Sequence, residues 1–237
     1  MIKETQFIIR RFDERGHADH GWLNTHHTFS FADYYDPAQM GFRSLRVIND
    51  DIIAPGGGFP PHPHREMEIF SYILEGQLKH SDSMGNERVL EPGQIQLMSA
   101  GTGVKHSEFN PSSDKPVHLL QIWILPERSG ITPRYTEWHP SPQSQSSKTL
   151  VISPDGRENS ATIMQDAHIY RIKLDAQESI NHTLADGRGA WLQIVRGSAV
   201  VDGQTLSAGD AISTESAGTF VIKAADDGVE ALLFDLG

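Results

Sequence analysis

The chain has 237 residues, no cysteine and a formal net charge of −11, with 20 Lys and Arg against 31 Asp and Glu. The lack of cysteine excludes disulfides, thiolate nucleophiles, zinc fingers and iron–sulfur sites, so a metal would need His and carboxylate donors. The negative charge disfavours direct nucleic-acid binding because it repels phosphate groups. No apolar run reaches the ~18 residues of a membrane span, and the N-terminus does not resemble a signal peptide. We therefore expect a cytoplasmic protein without a membrane or nucleic-acid partner.

Short apolar runs closed by turn residues dominate the first half, as in FRSLRVIND, EIFSYILEG and HLLQIWILPE. This spacing is typical of an all-β barrel or sandwich rather than of βαβ units. Side chains alternate between the two faces of a strand, so the even positions from Glu66 to Leu74 share one face. We expect that face, including Phe70 and Tyr72, to line the barrel and its cavity.

The stretch from about Leu125 to Gln165 is rich in Pro, Ser and Gln and separates the two halves. Strand patterns then resume, with a hairpin turn predicted at Asp202-Gly203. The second half repeats the order of strands and glycines in the first, which indicates an internal duplication; the alternative is that any two all-β meanders look alike. We predict an N-terminal barrel over 1–135, a crossing segment over 136–160 and a C-terminal barrel over 161–237.

Two short motifs carry the candidate chemistry, His62-Pro63-His64 and His106-Ser107-Glu108. Residues two apart on a strand project from the same face roughly 6–7 Å apart, so each pair can converge on one ion. Pro63 is tolerated at a strand start, an edge or a bulge. If the two pairs lie on adjacent strands, they supply four donors for a metal, and the histidine-poor second barrel supplies none.

Three imidazoles and one carboxylate suit a divalent transition metal rather than calcium or magnesium. Fe(II) is the favoured ion, and Cu, Ni, Co, Mn and Zn fit the same donors. Four donors leave about two positions of an octahedral ion free, which allows ligand exchange and catalysis. Two further histidines of this half, His80 and His118, are interpreted as ordinary strand residues.

The two motifs resemble those of the cupins. The first motif matches at Gly56, His62, His64, Glu68 and, one residue late, Gly76; the second matches at Gly103, His106 and Asn110. The blocks GWLNTHHTFSFADYYDP, GFPPHPHREMEIFSYILEG and MSAGTGVKHSEFNPSS are similar to the pirin family of bicupins. This resemblance covers most of the first 135 residues and is only architectural in the second half.

The resemblance implies two cupin barrels of jelly-roll type in tandem. It also implies a metal bound by His62, His64, His106 and Glu108. Ordinary cupins take their carboxylate from the first motif, which here is Glu68. We therefore place Glu68 behind the ligands, where it would orient a ligand imidazole.

Pirin-like bacterial proteins resemble quercetin 2,3-dioxygenases, which open the central ring of a flavonol with O₂ and release carbon monoxide. The resemblance thus implies an oxidoreductase whose partners are a small aromatic substrate and O₂, with Glu108 as a general base. Two alternatives stay open. One is a metal-binding regulatory or interaction protein without turnover, and the other is a cupin enzyme acting on a different enediol or catechol. A monomer is compatible with a duplicated barrel.

Overall fold

A computed structural model of the chain describes residues 6–141 and 146–237. Within these ranges the regular structure consists of β-strands and two 3₁₀ turns, at Phe12–Glu14 and Arg157–Asn159. The all-β prediction is confirmed. No helix in the described ranges is long and apolar enough to cross a membrane.

The strands of the first half are β1 (Ile8–Arg10), β2 (Gly16–Asp19), β3 (Leu23–His27), β4 (Leu45–Ile53), β5 (Gly58–His64), β6 (Glu68–Glu75), β7 (Leu78–Asp82), β8 (Glu87–Leu90), β9 (Ile95–Ser99), β10 (Val104–Phe109), β11 (Val117–Ile124) and β12 (Arg134–Trp138). Those of the second half are β13 (Lys148–Ser153), β14 (Ala161–Thr162), β15 (Ala167–Leu174), β16 (Ser179–Leu184), β17 (Gly189–Val201), β18 (Gln204–Ser207), β19 (Ala211–Thr214) and β20 (Gly218–Leu236).

Two antiparallel sheets form the N-terminal barrel. The larger has the strand order β12-β9-β6-β11-β4-β3-β2, and the smaller has the order β5-β10-β7-β8. Their inner faces share a hydrophobic core of Leu23, Ile53, Ile73, Leu78, Leu90, Val117 and Leu119. Because this core draws on strands of both sheets, the smaller sheet covers one face of the larger, and side chains on the facing sides meet in the interior.

The C-terminal barrel is built on two long strands, β17 and β20. One half of β17 pairs with β19 and the other half with β18, while β20 pairs with β16 near its start and with β15 near its end. Bulges at Ile194/Arg196 and Gly197/Ala199 bend β17 between its two sets of partners. Gly197 has φ 66°, and a Cβ there would lie 2.1 Å from the Gly228 oxygen, so the bend requires glycine.

The hairpin turn predicted at Asp202-Gly203 is confirmed. Both residues have positive φ, 50° and 72°, as a type I′ turn requires. Val201 pairs with Gln204 on either side of it. By contrast, the runs TFVIKA and VEALLFDL, expected as separate strands, form the single strand β20, which stays paired along both runs.

Contacts group the chain into two compact units, each assembled from separate stretches. One unit contains the described residues of Met1–Glu14, Ser141–Ser153 and Asp166–Gly237; the other contains Arg15–Pro140 and Pro154–Gln165. The predicted segments 1–135, 136–160 and 161–237 are instead continuous. The difference arises because β1 pairs with β19, which ties the start of the chain to the C-terminal barrel. Of the predicted crossing segment, 142–145 lie outside the described residues, and β13 occupies part of the remainder.

Candidate metal centre

The three histidines of the two motifs meet on the smaller sheet. β5 carries His62 and His64, β10 carries His106, and the antiparallel pairing of these strands sets His106 directly opposite His62. One nitrogen from each ring lies within 4.8 Å of one nitrogen from each of the others. The ring centroids are 4.5 Å apart for His62 and His106 and 4.8 Å apart for His64 and His106. Three imidazoles therefore converge on a common centre.

The surroundings of His64 and His106 favour neutral imidazole, the form that binds metals. Burial, reinforced by the neighbouring histidines, lowers the pKa of His64 to about 4 and that of His106 to about 3. Nδ1 of His62 donates to the Pro60 carbonyl at 2.8 Å, which leaves its Nε2 lone pair available. His64 and His106 are therefore neutral at pH 7, and each can offer a lone pair to an ion.

His106 gives the sharpest indication that something belongs between these rings. Its side chain is 2 % exposed, yet neither ring nitrogen has a hydrogen-bond partner among the described residues. Leaving buried polar atoms unpaired is costly, so such atoms usually have a ligand, an ion or a water as partner. The nitrogen donors and their convergence fit a divalent transition metal.

Glu108 is buried in the lining of the same cavity and is held by three donors. Ser71 Oγ and Gln96 Nε2 donate to its Oε1, at 2.9 and 2.7 Å, and Gln121 Nε2 donates to its Oε2. By donor distance Glu108 groups with His106 and His80 rather than with the two histidines of β5. The structure thus places Glu108 beside His106, and its role as fourth ligand stays a prediction.

His80 lies closer to this centre than an ordinary strand residue would. It is fully buried on β7, its ring centroid is 5.4 Å from that of His106, and its Nε2 lies 3.2 Å from Asp82 Oδ2. Its Nδ1 has no partner among the described residues. The only sequence signal for this position was the spacing of His80 and Asp82, which places both side chains on one face of β7.

Glu68 stands apart from the imidazoles. Its Oε2 accepts hydrogen bonds from Ser99 Oγ at 2.7 Å and from the Met164 backbone N–H at 3.2 Å. Burial raises its pKa, and these two hydrogen bonds oppose the rise. None of its hydrogen bonds within the described part of the chain reaches a histidine, so the predicted contact with a ligand imidazole is not formed.

A cavity of about 200 Å³ opens in front of the three histidines. Its apolar walls are Leu23, Phe31, Phe59 and Trp123, and its polar lining is Thr25, His27, Asn49, Asp51, His62, His64, His106, Glu108 and Gln121. The expectation that Phe70 and Tyr72 line it is wrong. Ser71 reaches Glu108, so the odd positions of β6 face the interior and the even positions face away. Both faces of β6 are buried, and the sequence pattern therefore gave no basis for choosing between them.

A row of five polar residues crosses the larger sheet beneath this cavity, and the sequence analysis missed it. Gln96, Ser71, Gln121, Asn49 and His27 lie side by side on β9, β6, β11, β4 and β3. Three of them hold Glu108, while Nδ1 of His27 lies 2.8 Å from Asn49 Oδ1. The five residues come from five separate strands, so they form a row only through strand pairing and no single stretch of sequence contains them.

Comparison with known proteins agrees with this architecture. A family model described as Pirin matches residues 9–124, and one described as Quercetinase C-terminal cupin domain matches residues 150–236. A protein of Escherichia coli K12 named quercetin 2,3-dioxygenase is 49% identical over 228 residues, which span 96% of this chain and 97% of that protein. The chain belongs to the pirin family. Its two barrels are accordingly those of a pirin-type bicupin.

Solved pirin structures support the same fold. The crystal structure of YhhW from Escherichia coli has a TM-score of 0.94 and 48% sequence identity, and the match covers 98% of both chains. A crystal structure of this bacterial pirin in complex with nickel(II) has a TM-score of 0.92 at 48% identity and covers 98% of this chain and 99% of that chain. Tandem cupin barrels, predicted from the sequence, are confirmed for this pirin.

Proposed function

We propose that this pirin is a metal-dependent dioxygenase that opens the central ring of a flavonol such as quercetin. The observation that carries the proposal is the set of three converging imidazoles at the wall of a partly aromatic cavity. The relative named quercetin 2,3-dioxygenase, similar over nearly its whole length, supports the choice of reaction.

His62, His64 and His106 would hold the metal, with Glu108 as the fourth donor. The unpartnered nitrogens of His106 support this assignment. Fe(II) remains our favoured ion, and the nickel(II) complex of the related bacterial pirin shows that such a fold takes up a divalent transition metal. When bound, the ion would supply Lewis acidity that lowers the pKa of the flavonol hydroxyl next to the carbonyl.

The proposed reaction breaks the two carbon–carbon bonds that flank the hydroxyl-bearing carbon of the central ring. That carbon leaves as carbon monoxide with its own oxygen. Both atoms of O₂ enter the ring-opened product, one on each carbon from which it was cut, so the flavonol is oxidised and O₂ is reduced. Glu108 accepts the hydroxyl proton at its Oε2 and returns it to the carboxylate that forms.

The hydrogen bonds to Glu108 limit how it can act. A carboxylate has about four lone-pair positions, and three are occupied by Ser71, Gln96 and Gln121. The one remaining position is on Oε2, and it can bind an ion or accept a proton but not both at once. Glu108 therefore alternates between ligand and base, or it releases the amide of Gln121 to do both.

The cavity walls suit flat aromatic rings. The Trp123 ring lies edge-on to His64, with centroids 4.9 Å apart, and edge-on to Phe31 at 5.3 Å. Phe59 lies 6.2 Å from His62 on another side. A substrate whose reacting oxygens face the histidines would thus have aromatic neighbours for its rings, and water would be excluded from them.

The test is to load the protein separately with iron, copper or nickel and to incubate each form with quercetin and O₂. We expect the flavonol absorbance to fall and one carbon monoxide to appear per flavonol consumed, with at least one metal. His106→Ala should lose both metal and activity. The matched control is His139→Ala, which removes a half-exposed histidine at the end of β12. Unchanged absorbance and no carbon monoxide with every metal would overturn the proposal.

A further inference from the structure

Buried polar atoms without a hydrogen bond of good geometry occur at two separate places in the lining of the cavity. Among its described lining residues they are the ring nitrogens of His106, Oδ1 of Asp51 and Oγ1 of Thr25, and the last two interact only weakly with each other. The first belong to the candidate metal centre. Asp51 and Thr25 are paired across β4 and β3, and each is 2 % exposed. The second place is therefore a compact pair of hydrogen-bonding groups that the proposed reaction does not use.

The position of this pair follows from strand register. Gln121 pairs with Asn49, so Asp51 is two residues beyond that row on one side, and Val47, the partner of Trp123, is two residues beyond it on the other. At ~3.3 Å per residue the two positions are roughly 13 Å apart along β4. Trp123 contacts His64, whereas Asp51 lies at the end of the cavity lined by Leu23 and Phe59.

We infer that Asp51 and Thr25 form a subsite that binds a hydroxyl group on the part of the substrate that points away from His64 and Trp123. This inference rests on the proposed function and deepens it: the substrate class becomes flavonols that carry a hydroxyl on an outer ring. A phenolic hydroxyl can both donate and accept, so it satisfies the carboxyl and the threonine hydroxyl together.

The electrostatics of Asp51 fit a neutral ligand. Burial raises its pKa to about 7, a hydrogen bond with the Thr25 side chain opposes the rise, and the charges of Asp50 and Glu108 add to it. A carboxyl group in this state can donate a hydrogen bond as well as accept one. In this state it binds a neutral hydroxyl without the cost of an unpaired buried charge.

Specificity should be high because the subsite is buried. A site built to hydrogen-bond a hydroxyl discriminates strongly against an analogue without it, since its own polar groups are then left unpaired. The pirin should therefore bind a flavonol with outer-ring hydroxyls at least tenfold more tightly than the same ring system without them. Asp51 would be a binding and positioning residue rather than a catalytic one.

The test measures binding in the absence of O₂, with the nickel-loaded chain and two ligands: quercetin and 3-hydroxyflavone, which lacks every outer-ring hydroxyl. We expect Asp51→Ala to weaken quercetin binding tenfold or more and to change 3-hydroxyflavone binding less than twofold. Thr25→Val should shift affinity in the same direction by a smaller factor, and Asp51→Asn should retain most of the discrimination. The matched control is Asp50→Asn, because Asp50 lies on the opposite face of β4, 2.6 Å from His118 Nε2.

The outcomes separate this inference from the proposed function. If Asp51→Ala weakens the binding of both ligands equally, or of neither, the subsite is overturned and the proposed reaction is unaffected. Normal discrimination without turnover in O₂ overturns the reaction and leaves the subsite. If the wild-type protein binds neither flavonol, both are overturned. Nickel content, measured on every variant, shows whether a weakened affinity reflects lost metal.

Discussion

The buried carboxyl of Asp51 makes the free energy of unfolding of the metal-free protein depend on pH. The substitution Asp51→Asn should remove this dependence. Its folded pKa is raised from 3.8 to about 7 by burial. Between these values the folded chain keeps a proton that the unfolded chain releases. The stabilisation from this proton is complete below about pH 4 and is lost as pH rises through 7. Asp51→Asn has no such proton to lose.

The size of the effect follows from the shift. A change of about 3 pKa units, at 1.36 kcal/mol per unit, corresponds to about 4 kcal/mol. His64 and His106 have lowered pKa values and contribute with the opposite sign, because their unfolded forms take up protons as pH falls below 6.5. Both histidines are present in both proteins. The difference in free energy of unfolding between variant and wild type therefore isolates Asp51.

The assay is urea denaturation of both metal-free proteins at several pH values from 4.5 to 8, followed by tryptophan fluorescence. We expect the variant to gain stability relative to wild type as pH rises, by about 3 kcal/mol between pH 4.5 and 8, with no further gain above pH 8. Asp50→Asn should show a much smaller trend. A free-energy difference that stays constant within 1 kcal/mol from pH 4.5 to 8 would refute the reasoning, since Asp51 would then be ionised in the folded state.

Three further outcomes follow from the site. In competition dialysis, Glu108→Ala should retain nickel at least tenfold less well than Glu68→Ala; the reverse order would identify Glu68 as the ligand. Gln121→Leu should lower the free energy of unfolding by roughly 1–3 kcal/mol, because it removes a donor from a buried carboxylate, and an unchanged denaturation midpoint would contradict this. Gly58→Ala should cost roughly 1–3 kcal/mol and weaken metal retention, since its Cβ would lie 2.3 Å from the Glu108 backbone oxygen; Gly21→Ala, with open space around it, is the control for metal retention.

Local alternation sufficed to predict the parts of the site that lie within one strand. His62 and His64 share a face because they are two residues apart, and the same rule applies to His106 and Glu108. Convergence of His106 with the two histidines of β5 needed only that β5 and β10 be neighbours. The hairpin at Asp202-Gly203 was equally local, since its residues alone favour positive φ.

The remaining features of the site depend on pairing between strands that are distant in the sequence, and local patterns do not predict that pairing. Asp50 and Asp51 are adjacent and chemically identical, and only the register of β4 against β3 and β11 decides that Asp51 faces the cavity. The inward face of β6 was misassigned because the strand is apolar on both faces, so Phe70 offered no contrast with its neighbours. His80 was underrated because its burial beside His106 arises from the pairing of β7 with β10.

The site under which the polar row lies can form only when the strands of the larger sheet pair in the correct register. A slip of one residue between β11 and β6 would turn Gln121 to the other face and leave Glu108 with fewer donors. The same slip would displace Trp123 from His64. Neither a misregistered chain nor a partly assembled barrel could therefore present the same centre, and metal capture would report on native strand pairing during refolding.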